Sequence, residues 1–109
     1  MNFKSVAALL DGVHTDFTVS VFEDIIFIVI TQNSKLGTLY LFKPECLSSK
    51  DQGYDIKALF GREDDNLTSH IVSLMLALNV DRRAIVSLML SNTSFRTIRA
   101  IQEVLSSMI

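Results

Sequence analysis

The sequence predicts an α+β fold, an antiparallel sheet or sandwich of about six strands with two helices in the order βββββαβα. Strand-like patterns fill the first sixty residues, and two segments with helical periodicity come late. The apolar fraction of 49% and the mean hydropathy of +0.35 are high for a small soluble monomer. Some apolar surface is therefore expected to lie against another protein. By its length of 109 residues the chain forms one domain, residues 1–109.

The amino-terminal part of the sequence predicts a hairpin. Lys4 to Leu10 is an apolar segment, and Asp11-Gly12 after it is a favourable turn dipeptide. Phe17, Val19 and Val21 then alternate with polar residues, which is the period of a half-buried strand. The two segments are therefore expected to pair.

The segment from Phe22 to Phe42 predicts a second hairpin, around which the chain is organised. Ile25 to Ile30 is an unbroken apolar run, typical of a strand that is covered on both faces. Polar residues and Gly37 follow, and we expect Gly37 at a bend or bulge that needs positive φ. Leu39 to Phe42 completes a four-strand meander, which Pro44 ends because it has no amide hydrogen for a ladder.

The middle of the chain predicts a loop and a fifth strand. Residues 45–53 are polar and rich in serine and charge, so we expect a mobile surface loop. The strand after it has one apolar face, formed by Tyr54, Ile56, Ala58 and Phe60.

Two amphipathic helices are predicted to pack on the sheet, with a strand from Ala84 to Leu90 between them. The first spans Leu67 to Leu78, and Asp64, Asp65 or Asn66 can cap its amino end. The last helix can be capped within residues 91–94. The apolar stripes of the two helices are Leu67, Ile71, Leu74 and Leu78, and then Ile98, Ile101, Leu105 and Met108.

Charge and cysteine content exclude several classes of protein. Twelve acidic and ten basic residues are spread along the chain, which is unlike the basic footprint of a nucleic-acid binder. The single cysteine, Cys46, excludes an internal disulfide and a cysteine-based metal cluster. The apolar run near the amino terminus is too short for a signal peptide or a membrane span. We expect a cytoplasmic protein with no cofactor, no metal and no small-molecule substrate.

The charged and titratable residues do not form a catalytic motif. Neither His14 nor His70 lies in a nucleophile motif, so no catalytic residue is predicted and the protein is not expected to be an enzyme. The acidic segment Glu63 to Asp65 lacks the spacing of a calcium loop, and a helix cap is favoured. Such a segment can also meet a basic partner surface. The four arginines Arg82, Arg83, Arg96 and Arg99 are expected on solvated faces, or paired with acids.

Several short motifs together resemble a known family, the third type of proteasome assembly chaperone. They are Thr31-Gln32 with Lys35 and Gly37-Thr38-Leu39 after the apolar strand, then Ile56 to Gly61, and the segment from Asn79 to Leu90. The resemblance implies a non-enzymatic dimer of related small chaperones, either a heterodimer or a homodimer. It also implies that the dimer holds proteasome α-subunits while their ring forms and is released before the core particle matures. The alternative hypothesis is a dimeric scaffold domain of the profilin or roadblock type.

Four residues are candidates for binding a partner. Lys35 and Gly37 belong to the turn that carries the resemblance, although turn chemistry alone also explains them. Val72 and Leu76 lie nearly opposite the apolar stripe of the first helix. If these two residues form a subunit contact, Leu76→Glu is expected to give a folded monomer.

Overall fold

The computed structural model describes residues 2–32, 37–46, 52–91 and 93–109. The elements follow the predicted order of five strands, a helix, a strand and a helix. They are β1 (Asn2–Leu10), β2 (Val13–Val21), β3 (Ile25–Gln32), β4 (Leu39–Cys46), β5 (Gln52–Phe60), α1 (Asp65–Ala77), β6 (Arg83–Met89) and α2 (Phe95–Met108). The α+β class with six strands and two helices is confirmed.

The six strands form one mixed sheet in the order β1-β2-β3-β6-β4-β5. β6 lies between β3 and β4, parallel to the first and antiparallel to the second. The predicted hairpin of β3 with β4 is therefore wrong, and so is the four-strand meander. β1 with β2, β2 with β3 and β4 with β5 are antiparallel pairs of consecutive strands, so only the first three strands form a meander. The unbroken apolar run of β3 and the mostly apolar sequence of β6 are typical of central strands that pair in parallel.

Both helices lie on one face of the sheet and cover its core. Among the inward side chains of β2 and β3, those of Phe17 and Ile28 have no exposed surface. They form one cluster with residues of both helices, including Ile71 of α1 and Ile101 of α2. The predicted stripe of α2 is buried throughout, whereas in α1 Leu67 and Leu78 are half-buried and Met75 is buried with Ile71 and Leu74.

Hydrogen bonds at the ends of the helices use residues from the predicted caps. Asp64 accepts at Oδ1 from the backbone N–H groups of Asn66 at 2.9 Å and Leu67 at 3.1 Å, so it is the amino cap of α1. The amino cap of α2 is Ser94. Among the described residues, neither helix has the length and apolarity needed to cross a membrane.

The β4–β5 hairpin departs from the predicted pattern at both ends. Pro44 does not end β4, which continues to Cys46 with Pro44 opposite Tyr54. A proline is tolerated there because the pairing of β4 with β6 stops at Phe42. Pro44 therefore has a paired strand, β5, on one side only. The predicted loop at 45–53 is partly strand, since β5 begins at Gln52, and residues 47–51 lie outside the described ones.

An irregularity at the other end of this hairpin turns Phe60 to the opposite face. The register shifts between Leu39 and Tyr40, so that Ala58 faces Tyr40 and Phe60 faces Leu39. Phe60 therefore lies on the opposite face from Ala58, whereas the alternation predicted that the two residues share a face. Its side chain is 74% exposed on the face that carries no helix.

Candidate protein-binding site

No helix or strand of the described residues covers the face of the sheet opposite the helices, and we call it the open face. Strand register places its residues in rows that cross the sheet. One row contains Phe3, Ser20, Phe27, Ile85, Leu41 and Lys57, and the next contains Ser5, Thr18, Val29, Ser87, Leu39 and Phe60.

The centre of the open face is apolar. Phe27 is 37% exposed, and the side chains around it on β3, β6 and β4 are half-buried: Val29, Ile85, Leu39 and Leu41. Charged residues lie around this centre: Asp16 on β2, Lys57 on β5, Lys43 on β4 and Arg83 at the start of β6. An apolar centre with a polar rim is the pattern of a protein–protein interface.

The position of Phe27 is supported within the chain. Its ring lies edge-on to the ring of Phe22, with 5.7 Å between the ring centroids. The turn between β2 and β3 is fixed by Arg82, whose guanidinium donates to the carbonyl of Phe22 at 2.9 Å, and by an ion pair of Arg83 with Asp24 at 3.2 Å. Arg82 is thus half-buried and paired rather than solvated. The turn that carries Phe22 is therefore held in place, and Phe22 in turn packs against Phe27.

The residues of the open face were not predicted, although the sequence contains a signal for them. The run from Ile25 to Ile30 predicts a strand that is covered on both faces, but the helices cover only one of them. Alternate side chains, Phe27 and Val29 among them, point to the uncovered face. The second cover that the sequence anticipates is therefore absent from the described part of this chain.

The predicted partner-binding residues lie elsewhere. Val72 and Leu76 are on α1, in the helix layer, where Val72 is half-buried and Leu76 is 50% exposed. Lys35 lies outside the described residues. Gly37 does not have positive φ, so the predicted reason for that glycine is wrong. A Cβ atom at Gly37 would lie 2.5 Å from the carbonyl oxygen of Leu88, so close packing requires the glycine.

Other polar groups have local structural contacts. His14 is exposed, and its Nε2 lies 3.0 Å from Oδ1 of Asp16. His70 lines a groove between the two helices together with Phe95 and Glu103. Asp64 is committed to the cap of α1, which leaves Glu63 and Asp65 exposed near it. Among the described residues no group of three or more metal-ligating side chains is close enough to hold an ion.

The fold and the open face define a small α+β domain whose most distinctive surface is suited to contact with another protein. Comparison with known families extends this description. Residues 28–108 match the sequence model of the family described as Proteasome assembly chaperone 3. The chain belongs to this family, as the resemblance of its motifs predicts.

Individual relatives agree with the family assignment. Proteasome assembly chaperone 3 of Bos taurus is 26% identical over 110 residues, covering 95% of this chain and 89% of the relative. The protein of that name from Nematostella vectensis is 53% identical over 36 residues, covering 33% of this chain and 27% of the relative. A chain from a crystal structure described as a novel chaperone complex for yeast 20S proteasome assembly has the same fold, with a TM-score of 0.81 and 13% identity over 99% of this chain and 98% of the other.

Proposed function

We propose that this protein is a non-enzymatic chaperone of proteasome assembly that works as a dimer formed through the open face. Its partner is a related small chaperone or a second copy of this chain. The dimer binds proteasome α-subunits in the cytoplasm, promotes formation of their ring and leaves before the core particle matures. Family membership supports this proposal, and the yeast protein with the same fold comes from a chaperone complex for 20S proteasome assembly.

The observation that carries the proposal is the uncovered apolar centre around Phe27. Water contacts this surface in the isolated chain, and a matching apolar face would remove it at a gain of about 25 cal/mol for each Å² of apolar surface. The central side chains are held by strand pairing, so little order is lost when a partner covers them. A face of this kind favours a lasting subunit contact over a brief encounter.

Binding of the clients, the proteasome α-subunits, then uses surfaces outside the dimer interface. The α1 flank with Val72 and Leu76 is one candidate, and the segment of the sequence that contains Lys35 and Gly37 is another. Exposed Glu63 and Asp65 at the start of α1 add negative charge near Gly37, which lines the same surface depression as Glu63. Exposed Arg62 lines the same depression, so the acidic residues of this segment, Glu63 to Asp65, outnumber one cation there. An excess of negative charge steers the encounter with a basic client surface and favours one register.

The mechanism is binding rather than catalysis. A temporary docking surface lowers the frequency of wrong subunit contacts, and it needs to persist only until a later subunit competes for the same place. Membership of a chaperone family favours this hypothesis over the alternative of a trafficking or signalling scaffold, since a shared fold alone does not decide function.

The test is to isolate the tagged protein from its own cell extract and identify its companions by mass spectrometry. We expect proteasome α-subunits, few mature β-subunits and a second small chaperone or an untagged copy. Phe27→Glu, which puts a charge into the apolar seam, is expected to lose the small partner. Phe95→Glu is the matched control, because Phe95 is 78% exposed on α2, on the other side of the sheet.

Two results would contradict the proposal. Recovery of trafficking or signalling proteins without proteasome subunits would overturn the assembly role. Retention of the small partner by folded Phe27→Glu would remove the open face from the proposal and leave the assembly role standing.

A further inference from the structure

The two edges of the sheet differ in a way that points to a second contact. β1 forms one edge and β5 the other. β5 carries Asp55 and Lys57 and is irregular near Phe60, and charges and bulges at an edge discourage pairing with another strand. β1 is nine residues long and carries only Lys4 as a charged residue. Of the two edges, β1 is the one without protection.

The turn after β1 determines which backbone groups are free. Asp11 has φ of 49° and Gly12 has φ of 79°, so the two-residue loop is a type I′ turn. Leu10 and Val13 flank this loop and form a hydrogen-bonded pair, and such pairs alternate along an antiparallel ladder. The even-numbered residues of β1 therefore bond to β2. The backbone N–H and C=O groups of Phe3, Ser5, Ala7 and Leu9 point outward from the sheet.

Apolar side chains accompany this free edge. Phe3 is 61% exposed and Leu9 is 71% exposed, both on the open-face side, whereas Val6 is 42% exposed on the helix side. Among the described residues, no other strand pairs with the outer side of β1. The edge thus combines unpaired backbone groups with apolar side chains on both faces.

We propose that β1 pairs antiparallel with β1 of a second copy, so that the two sheets become continuous. The register that fits places Val6 opposite the partner's Val6, on a two-fold axis. Phe3 then faces the partner's Leu9, and Ser5 faces the partner's Ala7. These outward-pointing residues supply the hydrogen-bonded pairs, and Val6 occupies a non-hydrogen-bonded position between them.

This register is self-complementary. The exposed apolar side chains Phe3 and Leu9 cover one another on one face, and the Val6 side chains meet on the other. Lys4 lies opposite the partner's Ala8, so no like charges face each other. Other registers on the same strand leave Phe3 or Leu9 without an apolar neighbour directly across.

The edge contact uses the outer backbone groups of β1 and not the apolar centre of the open face around Phe27. Pairing along one strand buries less than a standard interface of roughly 1,600 Å², so this association is expected to be weak on its own. It leaves both open faces pointing to the same side and free to take a partner each. Two dimers formed through the open face can thereby be joined into a larger assembly.

Disulfide trapping tests the register directly. Single cysteines are introduced in a Cys46→Ser background, which removes the only native thiol. Val6→Cys is expected to form a disulfide-linked dimer under mild oxidation, because Cα atoms at a non-hydrogen-bonded pair lie about 4.5 Å apart, within disulfide range. Lys4→Cys is the matched control, since it is exposed on the same side of β1 and lies roughly 13 Å along the strand from its own copy.

Two further variants sharpen the test. A mixture of Lys4→Cys and Ala8→Cys is expected to cross-link several-fold more than either alone, because these positions face each other in the proposed register. Adding Ala7→Pro to Val6→Cys removes an outward N–H and is expected to abolish the cross-link. Its circular dichroism spectrum should be unchanged, since the N–H of Ala7 takes no part in the ladder with β2.

The proposal fails if Val6→Cys cross-links no better than Lys4→Cys, or if Ala7→Pro leaves the cross-link intact. Trapping of a different protein by Val6→Cys, in place of a second copy, would also overturn it. The Val6 side chains lie on the helix side, so a dimer formed through the open face cannot bring them together. Repeating the trap with Phe27→Glu therefore separates the failure of either contact from the failure of the other.

Discussion

The side chain of Gln32 joins the end of β3 to Ser91, the residue that leads out of β6. Its Oε1 accepts hydrogen bonds from the backbone N–H of Ser91 at 2.7 Å and from the Ser91 hydroxyl at 3.0 Å. Its Nε2 donates to Oγ1 of Thr15 on β2 at 2.9 Å. Gln32 and Thr15 are both buried, so one amide on β3 satisfies polar groups of β2 and of the segment that follows β6.

Replacement of Gln32 is expected to destabilise the protein. Gln32→Met keeps the volume but removes the donor to Thr15 Oγ1 and the acceptor of the Ser91 N–H, at a cost of about 1–3 kcal/mol in the free energy of unfolding. The Thr15 hydroxyl keeps only its bond to the carbonyl of Val13. Urea denaturation followed by circular dichroism measures this cost. Gln102→Met is the control, because Gln102 is half-buried on α2 and makes no side-chain hydrogen bond within the described residues. Equal losses for the two variants would show that the network at Gln32 contributes nothing.

The hydroxyl group of Tyr40 connects β4 to Asp64, the residue that caps α1. Tyr40 has no exposed surface, and its hydroxyl accepts the backbone N–H of Asp64 at 2.9 Å. Tyr40→Phe is predicted to lower the free energy of unfolding by about 1 kcal/mol or more, because that N–H loses its partner. Tyr54→Phe, at a tyrosine that is 47% exposed, should change stability by less than about 0.5 kcal/mol. Thermal melts of both variants measure the difference. Equal changes in melting temperature would show that the buried, hydrogen-bonded hydroxyl of Tyr40 adds no stability.

Gly37→Ala tests close packing at the turn before β4. The added methyl group would lie 2.5 Å from the carbonyl oxygen of Leu88, so the backbone must shift, and we expect a loss of about 1–3 kcal/mol in the free energy of unfolding. Gly12→Asn is the control. Gly12 has positive φ with nothing within 4 Å of the added Cβ, and asparagine tolerates that conformation. Denaturant midpoints that fall equally would contradict the steric account of Gly37.

Local patterns in the sequence predicted most of the elements. The period-two alternation of β2, the stripe of α2 and the Asp11-Gly12 turn all appear in the structure as expected. These features depend on contacts close in the chain, where backbone geometry and burial of one face decide the residue types. The resemblance of the short motifs likewise led to the family that the comparisons show.

Strand order could not be predicted in the same way. Placing β6 between β3 and β4 is a long-range pairing, with Ile28 opposite Val86, and residue propensities do not specify which strand lies beside which. The apolar runs of β3 and β6 did contain a hint, since such runs favour central, parallel strands. A hairpin between β3 and β4 was inferred instead because the intervening residues have turn chemistry. Turn chemistry marks a change of direction, but it does not guarantee that the flanking strands pair.

The residues of the open face were not predicted, for the same reason. Val72 and Leu76 were proposed from helical periodicity, which is a local property, and they lie on α1 instead. The open face combines residues from β3, β4 and β6, so it becomes visible only when their order is known.

Leu76→Glu is the variant that separates a client surface from the dimer seam. Leu76 is half exposed on α1, in the layer opposite the open face, so a carboxylate there remains hydrated and the chain should stay folded. Because the open face is now the proposed dimer interface, Leu76→Glu is no longer expected to give a monomer. The variant is expected to keep its small partner, while several-fold less α-subunit co-purifies with it from extract.

Ser69→Glu is the matched control for Leu76→Glu, since Ser69 is an exposed residue of the same helix that lines the groove toward α2. It adds the same charge to α1 without replacing an apolar contact. Light scattering gives the oligomeric state, and quantitative mass spectrometry gives the ratio of α-subunits to the small partner. A monomeric Leu76→Glu would instead place the α1 flank in the dimer seam, because a charge then enters an apolar contact. Unchanged recovery of both companions would exclude Leu76 from either surface.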